Sequence, residues 1–171
     1  YIFNSETDTE VLIHLIEDVK KNENLPLAEA VRVALSQVVG TYGIIVVSSD
    51  EPDTLIVAKK GSPVIIGFGK NEYYVASDGA ALIEYTNKVV YLNDEEIAVL
   101  TPGNDLQVKT IKNKKVSHYA EKLQLSLEEL ENELGQSGIY GRTYEEGFVI
   151  YAKSGECPFY QGNYPRFIPV F

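Results

Sequence analysis

At 171 residues, 44% of them hydrophobic, the chain is long enough to bury a substantial core in one domain, with or without an appendage. A net charge of −10 argues against nucleic acid as a partner, because phosphate binding needs clustered Lys and Arg. The longest apolar run, 44–47, is strand-sized, so no membrane span is expected, and residues 1–10 lack the basic-then-apolar pattern of a signal peptide. The single Cys157 forbids an internal disulfide and fits a reducing cytoplasm. The chain contains no Met, so Tyr1 is expected to be a cut or a processing site rather than the start of translation.

The first element in chain order is a helix. Residues 5–10 are dense in helix-start types, Thr7 and Glu10 have capping-box spacing, and Val11, Leu12, Leu15, Ile16 and Val19 form an apolar stripe. The polar run 20–24 ends it. Pro26 suits the first turn of a second helix with Leu27, Val31, Ala34, Leu35 and Val38 on its buried face, and Gly40 is expected to stop it.

After Gly40 the period becomes extended. Residues 41–48 (TYGIIVVS) are β-branched and nearly all apolar, which predicts a strand buried on both faces. Residues 50–53 read as a turn, and 54–59, 64–68 and 72–76 as short strands separated by Gly61-Ser62-Pro63 and Gly69-Lys70-Asn71. A helical turn is expected in 78–84, then strands over 88–92, 95–100 and 106–111. Lys109, Lys112, Lys114 and Lys115 predict a solvated hairpin edge. The result is two helices followed by a β meander. A sheet of that size needs cover on both faces, so a further sheet or further helices are expected from outside the chain.

Residues 123–134 (LQLSLEELENEL) have helical spacing, with Ser126 and Glu129 as another capping box. From Gly135 on, Tyr and Phe recur without a clear period, apart from a possible strand over 147–153. A boundary is therefore placed near 135, giving a domain over 1–134 and an aromatic-rich tail of unknown role over 135–171.

The string Phe3-Asn4-Ser5-Glu6-Thr7-Asp8-Thr9-Glu10-Val11, followed by His14-Leu15, resembles the signature of class II glutamine amidotransferases. Gly40-Thr41-Tyr42-Gly43, the run from Lys59 and Lys60 through Gly61-Ser62-Pro63 to Gly67, Tyr74-Val75-Ala76-Ser77-Asp78, and Tyr91-Leu92-Asn93-Asp94-Glu95-Glu96 narrow it. Together they are similar to the glutamine–fructose-6-phosphate aminotransferases, also called glucosamine-6-phosphate synthases, over about residues 1–131. Amidophosphoribosyltransferases, the nearest relatives, usually carry an Arg-Asp-Pro stretch where this chain has Lys60-Gly61-Ser62-Pro63.

The resemblance implies an α+β fold, the αββα layered sandwich of N-terminal-nucleophile hydrolases, here incomplete. It implies glutamine as substrate, no cofactor, an upstream glutaminase segment and an isomerase domain as partners, and a homo-oligomeric full-length protein. In the family a Cys at the mature N-terminus attacks the glutamine amide, and the released ammonia converts fructose 6-phosphate to glucosamine 6-phosphate. That nucleophile, the oxyanion hole and the carboxylate-binding Arg are expected upstream of Tyr1. The alternatives are a non-catalytic interaction or regulatory module derived from this class, or the matching part of an amidophosphoribosyltransferase.

Asp8 is the one site residue that the resemblance carries over, as the carboxylate binding the α-ammonium of glutamine. Spacing alone favours a plain helix cap; the motif match favours the ligand. Cys157 is internal and has no free α-amine to serve as its base, so no catalytic residue is assigned. His14 is expected to be a core-edge histidine, and two His with one Cys argue against a metal site. Gly67-Phe68-Gly69 lacks the third glycine and the strand–turn–helix setting of a nucleotide loop, so it reads as a turn.

Overall fold

The computed structural model describes residues 2–123, 150–153 and 166–169. Helix α1 spans Asp8–Glu23 and α2 spans Leu27–Leu35. Strands β1 (Tyr42–Ser48), β2 (Glu51–Lys60), β3 (Ile65–Phe68), β4 (Glu72–Ala76), β5 (Lys88–Tyr91), β6 (Glu96–Leu100) and β7 (Gln107–Thr110) follow. The short β8 (Lys115–Val116) and β9 (Glu121–Lys122), then β10 (Ile150–Lys153) and β11 (Arg166–Pro169), complete the described elements.

The meander divides into two sheets. One has the order β11-β1-β2-β6-β7-β8, the other β10-β4-β3-β5-β9, and all paired strands are antiparallel. The expectation that a second sheet or more helices had to come from outside to cover the first is therefore corrected, since β3, β4 and β5 supply a second sheet. The reason lies in the side-chain alternation. On β1, Ile44 and Val46 pack with the helices, while Ile45 turns to the opposite sheet. On β2, Ile56 and Ala58 face the helices and Leu55 and Val57 the other sheet. Ile66 on β3 and Tyr73 and Val75 on β4 complete the inter-sheet core. Ile65, Tyr74, Ala76 and Val89 form an outer cluster with Leu82 and Leu123. The observed order is helices, sheet, sheet, then the turns of 80–85, an α+β layering consistent with the N-terminal-nucleophile sandwich.

Several local expectations shift for physical reasons. Val11 is 54% exposed, and the inward stripe of α1 is Leu12, Leu15, Ile16 and Val19, which follows the 3-4 helical spacing more closely. Asn24 ends α1 in a left-handed conformation (φ 50°), its N–H donating to the Lys20 carbonyl. α2 ends at Leu35, five residues before Gly40, and its buried face is Leu27, Ala30, Val31, Ala34 and Leu35. β2 begins at Glu51, inside the expected 50–53 turn, because Ser48 pairs with Glu51 across a bulge. Gly67 and Phe68 belong to β3 and only Gly69 lies in the turn, its N–H donating to the Glu72 carbonyl. The helical turn expected over 78–84 takes the form of consecutive turns over 80–85, held by the Leu82, Tyr85 and Thr86 N–H groups. Lys109 to Lys115 do form an edge hairpin between β7 and β8, with Asn113 at φ 60°. The predicted helix of 123–134, apart from Leu123, and the boundary at 135 lie outside the described residues. β10, within the strand expected over 147–153, and β11 each take an edge position.

Pro26 occupies the N-cap of α2 and has no side-chain donor or acceptor to close the helix. Glu51, at the start of β2, supplies the missing acceptor: its Oε1 takes the Leu27 N–H at 2.8 Å. Glu51→Ala is expected to lower the unfolding free energy by about 1–2 kcal/mol, a typical cap loss, and Glu51→Gln to recover most of it through its amide oxygen. Thermal or urea unfolding measures both. An alanine variant as stable as the parent would mean that water serves the Leu27 N–H equally well.

Candidate functional site

The motif carrying Asp8 forms a folded-back loop entering α1. Thr7 is extended (φ −86°, ψ 141°) and is the N-cap, with no side-chain cap hydrogen bond. Asp8 is therefore the first helical residue rather than the cap. It is exposed, and among the described residues no hydrogen bond or ion pair is formed with its carboxylate.

Glu10 behaves differently. The expected capping box would turn its carboxylate to the Thr7 N–H, but it reaches further back. Glu10 Oε1 accepts the Asn4 N–H at 2.7 Å, and Oε2 accepts the Ser5 N–H at 2.6 Å and the Ser5 hydroxyl. The Ser5 hydroxyl in turn lies 2.9 Å from Thr7 Oγ1 and accepts the Thr7 N–H at 3.4 Å. These donors, the Ser5 hydroxyl first and the Asn4 N–H next, pull the Glu10 carboxyl down to about 2. His14, one turn later, places Nε2 3.6 Å from Glu10 Oε1 and packs edge-on against Phe3 with ring centroids 5.0 Å apart. As expected it is a core-edge residue, with a side chain 19% exposed. Lys20, near the other end of α1, bonds Asp50 Oδ2 at 2.7 Å beyond the end of β1. The end bearing Asp8 is thus directed away from the β1–β2 turn.

Three other motif segments meet at one end of the first sheet. Tyr42 pairs with Lys60 and bridges Gly61, Lys59 Nζ meets Asp94 Oδ1 at 2.7 Å, and Lys60 Nζ meets Glu95 Oε1 at 2.9 Å. Asp94 Oδ1 also accepts the Gly61 N–H at 3.0 Å. Gly61 has φ 78°, and a Cβ there would sit 2.6 Å from the Thr41 methyl, so glycine at position 61 is a steric requirement of this junction. The Tyr42 hydroxyl is buried and makes no hydrogen bond among the described residues. Burial first, then the negative Glu95 and Asp94, push this phenol up to about 12. It stays protonated at neutral pH and offers no acid–base chemistry there. This end of the sheet is a structural junction.

Sequence reasoning missed one buried polar network. Glu96 is 4% exposed, and its Oε2 lies 2.7 Å from His118 Nε2 and accepts the Asn93 N–H at 2.8 Å. Its Oε1 accepts Asn93 Nδ2 at 3.2 Å. Glu96 falls in the strand predicted over 95–100, and nothing short-range points to a histidine 22 residues away. Cys157 lies outside the described residues. Among the described residues no helix is long and apolar enough to cross a membrane.

No family model matches the chain. Sequence relatives are found among curated proteins. The chain is 52% identical over 132 residues to glutamine–fructose-6-phosphate aminotransferase [isomerizing] of Chlorobaculum tepidum, covering 77% of this chain and 21% of that protein. It is 43% identical over 131 residues to the protein of the same name in Bacteroides thetaiotaomicron, with 77% and 21% covered. With the one in Thermococcus kodakarensis it shares 47% over 102 residues, covering 59% and 17%. The chain thus spans about a fifth of the length of the first two relatives it matches. Together with the layered α+β fold, these identities show that the chain belongs to the glutamine–fructose-6-phosphate aminotransferase family, as a segment of its glutaminase portion.

Proposed function

We propose that this segment grips the donor glutamine in a cytoplasmic enzyme that makes glucosamine 6-phosphate from fructose 6-phosphate, with Asp8 binding the α-ammonium group. The observation that carries the reading is the state of Asp8. It is the exposed first residue of α1, inside the motif that carries the family resemblance, and its carboxylate is not engaged by any described residue while that of Glu10 is. The start of a helix carries partial positive charge and by itself disfavours a cation. A carboxylate there offsets that field and offers a charge-assisted hydrogen bond to an ammonium group. Amide cleavage and transfer of nitrogen to the sugar phosphate are assigned to the remainder of the enzyme, which supplies the nucleophile and the isomerase domain, in a homo-oligomeric assembly.

Segment exchange tests this. The matching part of the Chlorobaculum tepidum relative is replaced by this chain's sequence, Asp8 included, and glutamine-dependent formation of glucosamine 6-phosphate is measured. Activity within about tenfold of the parent is expected, an allowance of one modest interaction. A folded hybrid that uses free ammonia but not glutamine would overturn the assignment.

A further inference from the structure

We propose that Glu10 is a positioning residue of this site, whose carboxylate holds residues 4 and 5 back against the first turn of α1 and thereby shapes the approach to Asp8. The inference rests on the reading of Asp8 given above.

The loop has little else to order it. Phe3, Asn4, Ser5, Glu6 and Thr7 are all exposed, so burial does not hold them. Glu10 uses both carboxylate oxygens on this loop, taking two backbone N–H groups and one hydroxyl. Charge-assisted bonds of this kind are shorter and stronger than neutral ones. The Ser5 hydroxyl passes the constraint to Thr7, the residue immediately before Asp8. A second pin acts at Phe3, whose ring meets His14, itself beside Glu10. Residues two apart on a helix are about 200° apart around its axis. Glu10 and Asp8 therefore leave α1 on opposite sides, and the Glu10 carboxylate is engaged by the loop donors.

A plain capping role would predict a loss of helix stability and no effect on glutamine. A positioning role predicts a change in recognition with the fold intact. The carboxyl is depressed to about 2, so the clamp is complete above the ordinary carboxylate range and is lost as pH falls through that value. In the full chain, the Asn4 and Ser5 amide resonances should titrate near pH 2, and that titration should vanish in Glu10→Gln. In the segment-exchanged enzyme, Glu10→Gln should raise the KM for glutamine about 5- to 30-fold, with kcat near the parent value and the melting temperature only modestly lowered. Glu10→Gln with unchanged KM, beside an Asp8→Asn whose KM rises, would overturn the positioning role and leave the Asp8 reading standing. Unchanged KM in both variants would overturn both. Titrating amides with unchanged KM would mean that the clamp exists and does not serve recognition, which also overturns the proposal.

Discussion

Asp8→Asn in the segment-exchanged enzyme is expected to lower kcat/KM for glutamine by about 10- to 150-fold, mostly through KM. A hydrogen bond to a charged group is worth roughly 1.5–3 kcal/mol, and a neutral amide cannot balance an ammonium. Stability should hardly move. Thr7, not Asp8, is the N-cap, so the substitution removes only the favourable placement of a negative charge in the first turn, about 0.3–1 kcal/mol. Steady-state kinetics with glutamine, paired with thermal unfolding of the same preparation, separate the two effects. Asp8→Ala should show a similar kinetic loss. Normal glutamine kinetics in both variants, with lowered melting temperatures, would reduce Asp8 to a contributor to helix stability.

His118→Ala is expected to be the most destabilising single polar change in the described residues, by about 2–4 kcal/mol, or roughly 5–15 °C in melting temperature for a chain of this size. Glu96 is buried, and removal of His118 leaves its carboxylate with only the two Asn93 donors. A buried polar group left short of a hydrogen-bond partner costs more than the bond itself contributed. The residue also joins the two sheets in sequence: β8 belongs to the first sheet, β9 to the second, and His118 sits in the crossing between them. The double variant Glu96→Ala with His118→Ala should therefore cost clearly less than the sum of the single changes. Additive effects, or a His118→Ala protein as stable as the parent, would show that the pair does not hold the crossing.

Two exposed ion pairs carry much less. Asp50 with Lys20, and Asp94 with Lys59, lie at exposed positions, where pairs contribute little to stability. Their carboxyls are held below the ordinary range first by the lysine hydrogen bonds, and their contribution fades as pH falls below that range.

Much of the secondary structure was determined locally and is legible without coordinates. All seven strands read between 41 and 111 are present, because β-branched apolar runs bounded by Gly, Pro, Asn and Asp leave few other conformations. The helices follow from apolar residues at helical spacing, and the family from the ordered motifs. The sequence likewise placed Asp8 at a helix start. What it could not decide was which strands share a sheet. Ile65 and Ile66 are both buried, so β3 is apolar on both faces, and such a strand fits a single large sheet or the second of two equally well. The pairing register settles that choice, and register depends on contacts between distant residues. The same holds for the polar side chains. Glu51 reaches the Leu27 N–H across 24 residues and Glu96 meets His118 across 22, whereas Asp94 reads locally as a turn residue and also proves to be a junction partner. A carboxylate's role is set by the donor that folding brings to it, and only the tertiary structure makes those meetings.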